Sequence, residues 1–236
     1  SSDLNPIDAS FAKVSNTVTL NMVASEIITT PTIVLNIGGS SVSHNGVTGS
    51  GNSYSITYTV QSGDNGAFGF TLDASDNAGN NAVQATSTTN STSVTADTVD
   101  PSFNAVTIAS NNNNTSLAKE SETITISMTA DENILTPTVS LAIGGVSKTH
   151  NGVTGSGSSY SATYTVQSGD SGLVSFTVDA SDNAGNTGLQ VASTTNASSV
   201  TVDTTLPTFS TVDISSNNAT STLAKHGDVV TLNLNA

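Results

Sequence analysis

Through the run Ser159-Tyr160-Ser161-Ala162-Thr163-Tyr164-Thr165-Val166, apolar and hydroxyl side chains alternate without a break. A period of two puts Tyr160, Ala162, Tyr164 and Val166 on one face of an extended strand and the hydroxyls on the other. The same alternation, punctuated by Gly, Asn, Asp and Pro, predicts seven strands in the middle of the chain: 102–108 (A), 123–130 (B), 138–143 (C), 146–150 (C′), 158–167 (E), 173–180 (F) and 188–202 (G). Asn151-Gly152 supplies the positive φ of a tight hairpin, and residues 168–172 and 182–186 read as longer turns. No ten-residue stretch places apolar residues at helical spacing. The expected fold is all-β, a sandwich of about seven antiparallel strands per unit.

The unit repeats. Ser-His-Asn-Gly-Val-Thr-Gly-Ser-Gly at 43–51 returns as Thr-His-Asn-Gly-Val-Thr-Gly-Ser-Gly at 149–157, and Asp-Ala-Ser-Asp-Asn-Ala-Gly-Asn at 73–80 returns at 179–186, both after 106 residues and without insertion. A third copy opens with Leu223-Ala224-Lys225, matching Leu117-Ala118-Lys119. The expected organisation is a first repeat over 1–96 lacking its opening strand, a complete repeat over 97–202, and the first strands of a third over 203–236. Two arrangements fit these boundaries. One is a stretch of a longer tandem array. The other is a filament subunit whose incomplete ends complement each other, the C-terminal strands of one chain completing the first domain of the next.

The junctions Asp97-Thr98-Val99-Asp100-Pro101 and Asp203-Thr204-Thr205-Leu206-Pro207 resemble the Asp-Thr-Thr-Ala-Pro linker of the bacterial immunoglobulin-like (BIg) tandem repeats of giant secreted and surface adhesins. Ala180-Ser181-Asp182-Asn183-Ala184-Gly185-Asn186 is similar to that family's strand F exit and F to G turn. The resemblance covers the whole chain and implies tandem immunoglobulin-like β-sandwich domains in a head-to-tail rod. It also implies a stalk with calcium at its junctions; separately, identical units at a fixed period argue against a single catalytic cleft, and no enzyme is expected.

Composition narrows the functions further. The 236 residues include 4 Lys, no Arg, 18 Asp and Glu, no Cys and no Trp, for a formal charge of −14 and a pI near 4.1. Such a chain has no basic surface to neutralise phosphates, so no nucleic-acid partner is expected. A polybasic membrane-surface segment is excluded likewise, and the apolar runs are far too short for membrane insertion. Without cysteine there are no disulfides, thiolate metal sites or Cys nucleophiles. That suits export in an unfolded state and an extracellular or cell-surface location. Ser and Thr number 38 each, yet 35% of residues are hydrophobic, mostly β-branched and alternating, which marks a folded chain.

Head-to-tail stacking of such domains brings the lower loops of one against the upper loops of the next. Asp64 from the E to F turn of the first repeat, Asp97 and Asp100 from the linker, and Asp131, Glu132 and Asp182 from the second repeat are thereby gathered at one junction. Such a crowd repels itself unless a cation sits among it. Ca²⁺, with about six to eight oxygen ligands in flexible geometry, suits loops of this composition. Asp64/Asp170, Asp76/Asp182, Asp97/Asp203 and Glu26/Glu132 keep their acid in both copies, whereas Asp100 and Asp131 become Leu206 and Ser25. All ten acids are candidate ligands, the repeated set first. The competing role for Asp64 and Asp182 is turn capping through their side-chain oxygens, and for Asp97 simply the end of strand G. Asp73 and Asp179 are weaker candidates.

Other chemistry has little footing. His44 and His150 precede Asn-Gly at equivalent positions and read as exposed turn residues, while His226 is isolated. No Gly-x-Ser-x-Gly elbow occurs, no hydroxyl has a repeated His partner, and the glycine-rich run 152–157 lacks the Lys and helix of a phosphate loop. Asn-x-Ser/Thr at Asn90, Asn113, Asn114, Asn196 and Asn218 is weak in so Asn- and Ser-rich a chain. The expected role is a stalk or extracellular filament segment, whose partners are neighbouring repeats or further copies of the chain. A second expectation is a module gripping cell-surface glycans, which would need Tyr54, Tyr58, Tyr160 and Tyr164 on the surface; their alternation places them in the core.

Overall fold

A computed structural model describes residues 5–236, and it is all-β. The first repeat contains β1 (Phe11–Ala12), β2 (Thr17–Val23), β3 (Thr32–Ile37), β4 (Ser40–Val42), β5 (Thr48–Ser50), β6 (Ser53–Thr59), β7 (Gly66–Asp73) and β8 (Thr95–Ala96). The second contains β9 (Phe103–Ser110), β10 (Leu117–Ala118), β11 (Thr123–Ala130), β12 (Thr138–Ile143), β13 (Val146–Lys148), β14 (Val153–Ser156), β15 (Ser159–Thr165), β16 (Ser171–Asp179) and β17 (Thr201–Asp203). Two strands follow, β18 (Thr211–Ser216) and β19 (Val230–Asn235), which pair with each other.

In the second repeat one sheet runs β9-β11-β15-β14 and the other β10-β17-β16-β12-β13. In the lettering of immunoglobulin sandwiches these are A-B-E-D facing A′-G-F-C-C′, which is an immunoglobulin-like topology. The alternation that predicted the strands also fills the core. Ile124, Ile126, Met128 and Ala130 from β11, Tyr160, Ala162 and Tyr164 from β15, Val139, Leu141 and Ile143 from β12, and Val174, Phe176 and Val178 from β16 are buried together. Each fully buried aliphatic side chain of this kind contributes roughly 1.5–3 kcal/mol.

The expected strands B and C carry the observed limits of β11 and β12, and A, E and F shift by a residue or two. Strand G differs. Only Thr201–Asp203 forms a ladder, while 188–200 runs irregularly, held by bridges from Thr187 to Ser181 and from Val191 to Val178. Its hydroxyls bond backbone instead of continuing a sheet: Val106 N donates to Thr195 Oγ1 at 3.2 Å and Ile108 N to Ser198 Oγ at 3.0 Å. Asn151-Gly152 is not a hairpin either. It carries the chain from β13 in one sheet to β14 in the other, and β14 itself lies within the glycine-rich run 152–157. The tight hairpin lies earlier, at Gly144-Gly145 between β12 and β13, with φ of 56° and 81° as its geometry requires. Finally, β10 pairs with β17 in parallel, so the pairing is not wholly antiparallel.

The first repeat has the same second sheet, β1-β8-β7-β3-β4, but its first sheet is β2-β6-β5, with no described strand in the place of β9. Val18, Leu20, Met22, Phe68, Phe70 and Leu72 are accordingly only partly buried, and they line a cleft of about 890 Å³.

Candidate metal centre between the first and second repeats

The linker is fastened to both repeats. On the side of the first, Thr98 N donates to Asn65 Oδ1 at 2.8 Å and Gly63 N to Thr98 Oγ1 at 3.1 Å. On the side of the second, Asn186 Nδ2 donates to the Asp97 carbonyl at 3.0 Å. The F to G turn of the second repeat also meets the A to B region of the first. Lys13 Nζ donates to the Gly185 carbonyl at 2.6 Å, and Asn5 Nδ2 to the Asn183 carbonyl at 3.1 Å.

At this seam one carboxylate oxygen each from Asp97, Glu132 and Asp182 lies within 4.8 Å of the others. The three come from different places: the linker after β8, the B to C loop after β11, and the F to G turn after β16. Asp182 is 1% exposed, and its carboxylate accepts from Asn186 N at 2.9 Å and Asn186 Nδ2 at 2.7 Å. Asp97 Oδ1 accepts from Val99 N at 3.2 Å. Burial first, then the charges of Asp97, Asp182, Asp131 and Asp100, push the Glu132 carboxyl up to about 7. The Asp97 carboxyl is also raised, by burial and then by Asp182, against the lowering effect of its bond from Val99. Carboxylate oxygens keep spare lone pairs beside these hydrogen bonds. The set is all oxygen, dense in negative charge and partly desolvated, and so suits a hard divalent cation.

The remaining candidates lie in other settings. Asp64 and Asp170 close the E to F turns: Asp64 Oδ2 accepts from Tyr58 OH and Gln61 N, both at 2.7 Å, and Asp170 Oδ2 from Tyr164 OH at 2.7 Å and Gln167 N at 2.8 Å. Asp170 is in addition paired with Lys148 at 2.5 Å. Asp131 accepts from Ser102 N at 2.8 Å and Ser102 Oγ at 2.7 Å, and these bonds hold its carboxyl below the usual range. Asp100 reaches the triad only as a neighbouring charge on Glu132. Asp76 repeats the capping role of Asp182, accepting from Asn80 N at 2.8 Å and Asn80 Nδ2 at 2.7 Å. Asp203 is exposed at the end of β17, where its Oδ1 accepts from Thr205 N at 2.8 Å, and Glu26 is exposed.

Sequence reasoning missed Asn186, Asn5 and Lys13, which lock the junction around the acids. A signal was present, since Lys13, Lys119 and Lys225 fall on one repeat position, as do Asn5, Asn111 and Asn217. It also misjudged the histidines. His150 is half buried, its Nε2 faces the Val139 carbonyl at 3.1 Å and its Nδ1 accepts from Gly152 N at 3.0 Å, so it pins the crossing between sheets; His44 repeats this with Ile33 and Gly46. The four tyrosines are buried, and Tyr54 and Tyr160 donate to the carbonyls of Ile28 and Ile134.

No protein-family model and no curated protein matches the chain. Among solved structures, the titin I9–I11 tandem is similar at 12% identity and a TM-score of 0.37, over 86% of this chain and 65% of that one. A crystal structure titled Rst D1-D2 gives 15% and 0.37 over 87% and 99%. The full Ig1–Ig3 ectodomain of mouse nectin-like molecule 4 gives 11% and 0.35 over 94% and 75%. The chain thus spans about two thirds of the titin tandem. At these scores the likenesses add nothing to the fold argued from strand order, and they say nothing of function.

Proposed function

We propose that this chain is a segment of an extracellular structural shaft, a bacterial adhesin stalk or fibre of immunoglobulin-like repeats, whose junctions are stiffened by Ca²⁺. The observation that carries the reading is the convergence of Asp97, Glu132 and Asp182 from the linker and two loops. Three carboxylates held this close cost folding energy unless they share a proton or a cation. A cation bound there ties the linker to the second repeat, while Thr98, Lys13 and Asn5 tie the same region to the first. In an array where each unit mainly contacts its neighbours, restraint at the junction governs the reach of the whole. No catalytic role enters this reading. A glycan-gripping surface has less support, because the four tyrosines that would form its platforms are core residues.

Calorimetric titration of Ca²⁺ into the chelator-treated chain tests this. Binding that is lost in Asp97→Asn is the expected result. Binding unaltered by Asp97→Asn would place the ion elsewhere, and no binding by the parent chain would remove the cation from the account.

A further inference from the structure

The fold holds His150 in a single neutral tautomer. Its Nε2 faces the Val139 carbonyl at 3.1 Å, and a carbonyl only accepts, so Nε2 carries the proton. Its Nδ1 turns a free lone pair to the N–H of Gly152 at 3.0 Å. That nitrogen follows Asn151, and it is the atom that attacks the asparagine side chain when an Asn-Gly pair cyclises. His44 repeats the arrangement in the first repeat, where Nε2 faces the Ile33 carbonyl at 3.4 Å and Nδ1 accepts from Gly46 N at 3.1 Å, beside Asn45.

We propose that His150 and His44 are general bases for a self-modification of the chain, the deamidation of Asn151 and Asn45. In the second repeat the Gly152 nitrogen gives its proton to His150 Nδ1 and forms a bond to Asn151 Cγ, closing a five-membered ring. The Cγ–Nδ2 bond then breaks, and the departing nitrogen takes the proton back from the imidazolium and leaves as ammonia. Water opens the resulting succinimide at either carbonyl, which gives aspartate or isoaspartate. The net change is one water taken up and one ammonia released, with the imidazole regenerated. His44, Asn45 and Gly46 run the same sequence in the first repeat.

The setting favours the step. Asn151, Gly152, Asn45 and Gly46 are exposed, so water reaches the ring and ammonia departs freely. Gly152 and Gly46 have φ of 109° and 94°, which selects glycine, and apart from chain neighbours no atom lies within 4 Å of where a Cβ would stand on either. The attacking nitrogen therefore adjoins an open Cα. The backbone around it is fixed: Asn151 N donates to the Thr163 carbonyl at 2.7 Å, Asn151 Nδ2 donates to Thr165 Oγ1 at 3.2 Å, and β14 begins at Val153. That order keeps base, N–H and side-chain amide together. A third Asn-Gly, Asn65-Gly66, follows Asp64 instead of a histidine, and Asn65 Oδ1 is held by Thr98 N at 2.8 Å and Thr98 Oγ1 at 3.2 Å. Isoaspartate adds a methylene to the main chain and a negative charge where β13 crosses to β14 in the other sheet. The reaction proceeds whether or not the acid triad holds an ion.

Peptide mapping of the folded chain during incubation at neutral pH tests this, beside a synthetic peptide of residues 149–154 under the same conditions. The peptide also contains His-Asn-Gly, so only the folded arrangement differs. The expected result is conversion of Asn151 and Asn45 at least about tenfold faster in the fold than in the peptide, with Asn65 lagging. A folded rate at or below that of the peptide overturns the proposal, as does an Asn65 that keeps pace. In His150→Gln, which stays polar but supplies no base, Asn151 should slow by about tenfold or more while Asn45 of the same molecule continues at its former rate. An imidazole that merely restrains the loop predicts the opposite sign. An Asn151 that converts as fast or faster in His150→Gln overturns the proposal equally.

Discussion

The side chain of Asn186 joins Asp182 to Asp97: one amide nitrogen donates to Asp182 Oδ2 at 2.7 Å and to the Asp97 carbonyl at 3.0 Å. A turn inside the second repeat is thereby bonded to the linker that leaves the first. Asn186 is 7% exposed, so both acceptors lose a partner without gaining full access to water if the amide is removed. Asn186→Ala should therefore lower stability by about 1–2 kcal/mol in chemical denaturation, with the loss confined to the transition of the second repeat. An unchanged midpoint would mean that the bridge contributes nothing.

Glu132 makes stability depend on pH with a definite sign. Its folded value of about 7 lies above the ordinary 4.5, so its favourable contribution is complete below about 4.5 and is lost as pH rises through about 7. In the metal-free protein the melting temperature of Glu132→Gln minus that of the parent should therefore increase between about pH 5 and pH 8. A flat difference would contradict the crowding of carboxylates. Comparison with the variant is essential because Asp131, Asp170 and Asp76, all lowered, act in the opposite direction.

The E to F turns of the two repeats differ by one charge. Asp170 is 3% exposed and paired with Lys148, whereas the counterpart of Lys148 in the first repeat is Val42 and Asp64 is half buried. Lys148→Met leaves Asp170 its bonds from Tyr164 and Gln167 but removes its cation. It should destabilise the second repeat by on the order of 2 kcal/mol, below the loss for a fully enclosed pair because Lys148 keeps some contact with water. Stability unaltered at neutral pH would show that the hydrogen bonds suffice.

Gly188 is set by packing. A Cβ there meets the Pro101 carbonyl, a backbone atom that cannot swing aside. Gly188→Ala should cost roughly 1–3 kcal/mol and displace the linker next to Asp97 and Asp100. Equal melting curves would show that the linker path adjusts freely.

Alternation and turn residues made most strands legible in the sequence, since period-two burial needs only local information. The 106-residue repeat made the equivalent segments of successive units recognisable from residue identity alone. Strand G was overread because its alternating start continues into Thr194-Thr195-Asn196-Ala197-Ser198-Ser199, where hydroxyls bond nearby backbone in place of a ladder. Of the acids, Asp97, Glu132 and Asp182 come together as stacking of the domains implied, but Asp64 does not join them. Its role depends on Tyr58, six residues earlier on β6, whose hydroxyl reaches the turn only once the strand is formed. Asn186 and Lys13 recur at the repeat spacing, but recurrence does not reveal what they reach across the junction, the backbone carbonyls of Asp97 and Gly185, which no residue identity announces.

The central claim is that a cation at the Asp97, Glu132 and Asp182 triad couples the two repeats. Its most direct test is thermal unfolding of the chain in Ca²⁺ and after chelation, beside the same chain carrying Asp97→Asn. At roughly a hundredfold excess over the dissociation constant, a ligand that binds only the folded form adds ~2.7 kcal/mol, a shift of several degrees. The account predicts that the melting temperature falls on chelation in the parent and does not respond in the variant. Curves that coincide under all conditions would contradict it and leave the three carboxylates as caps of the loops that carry them.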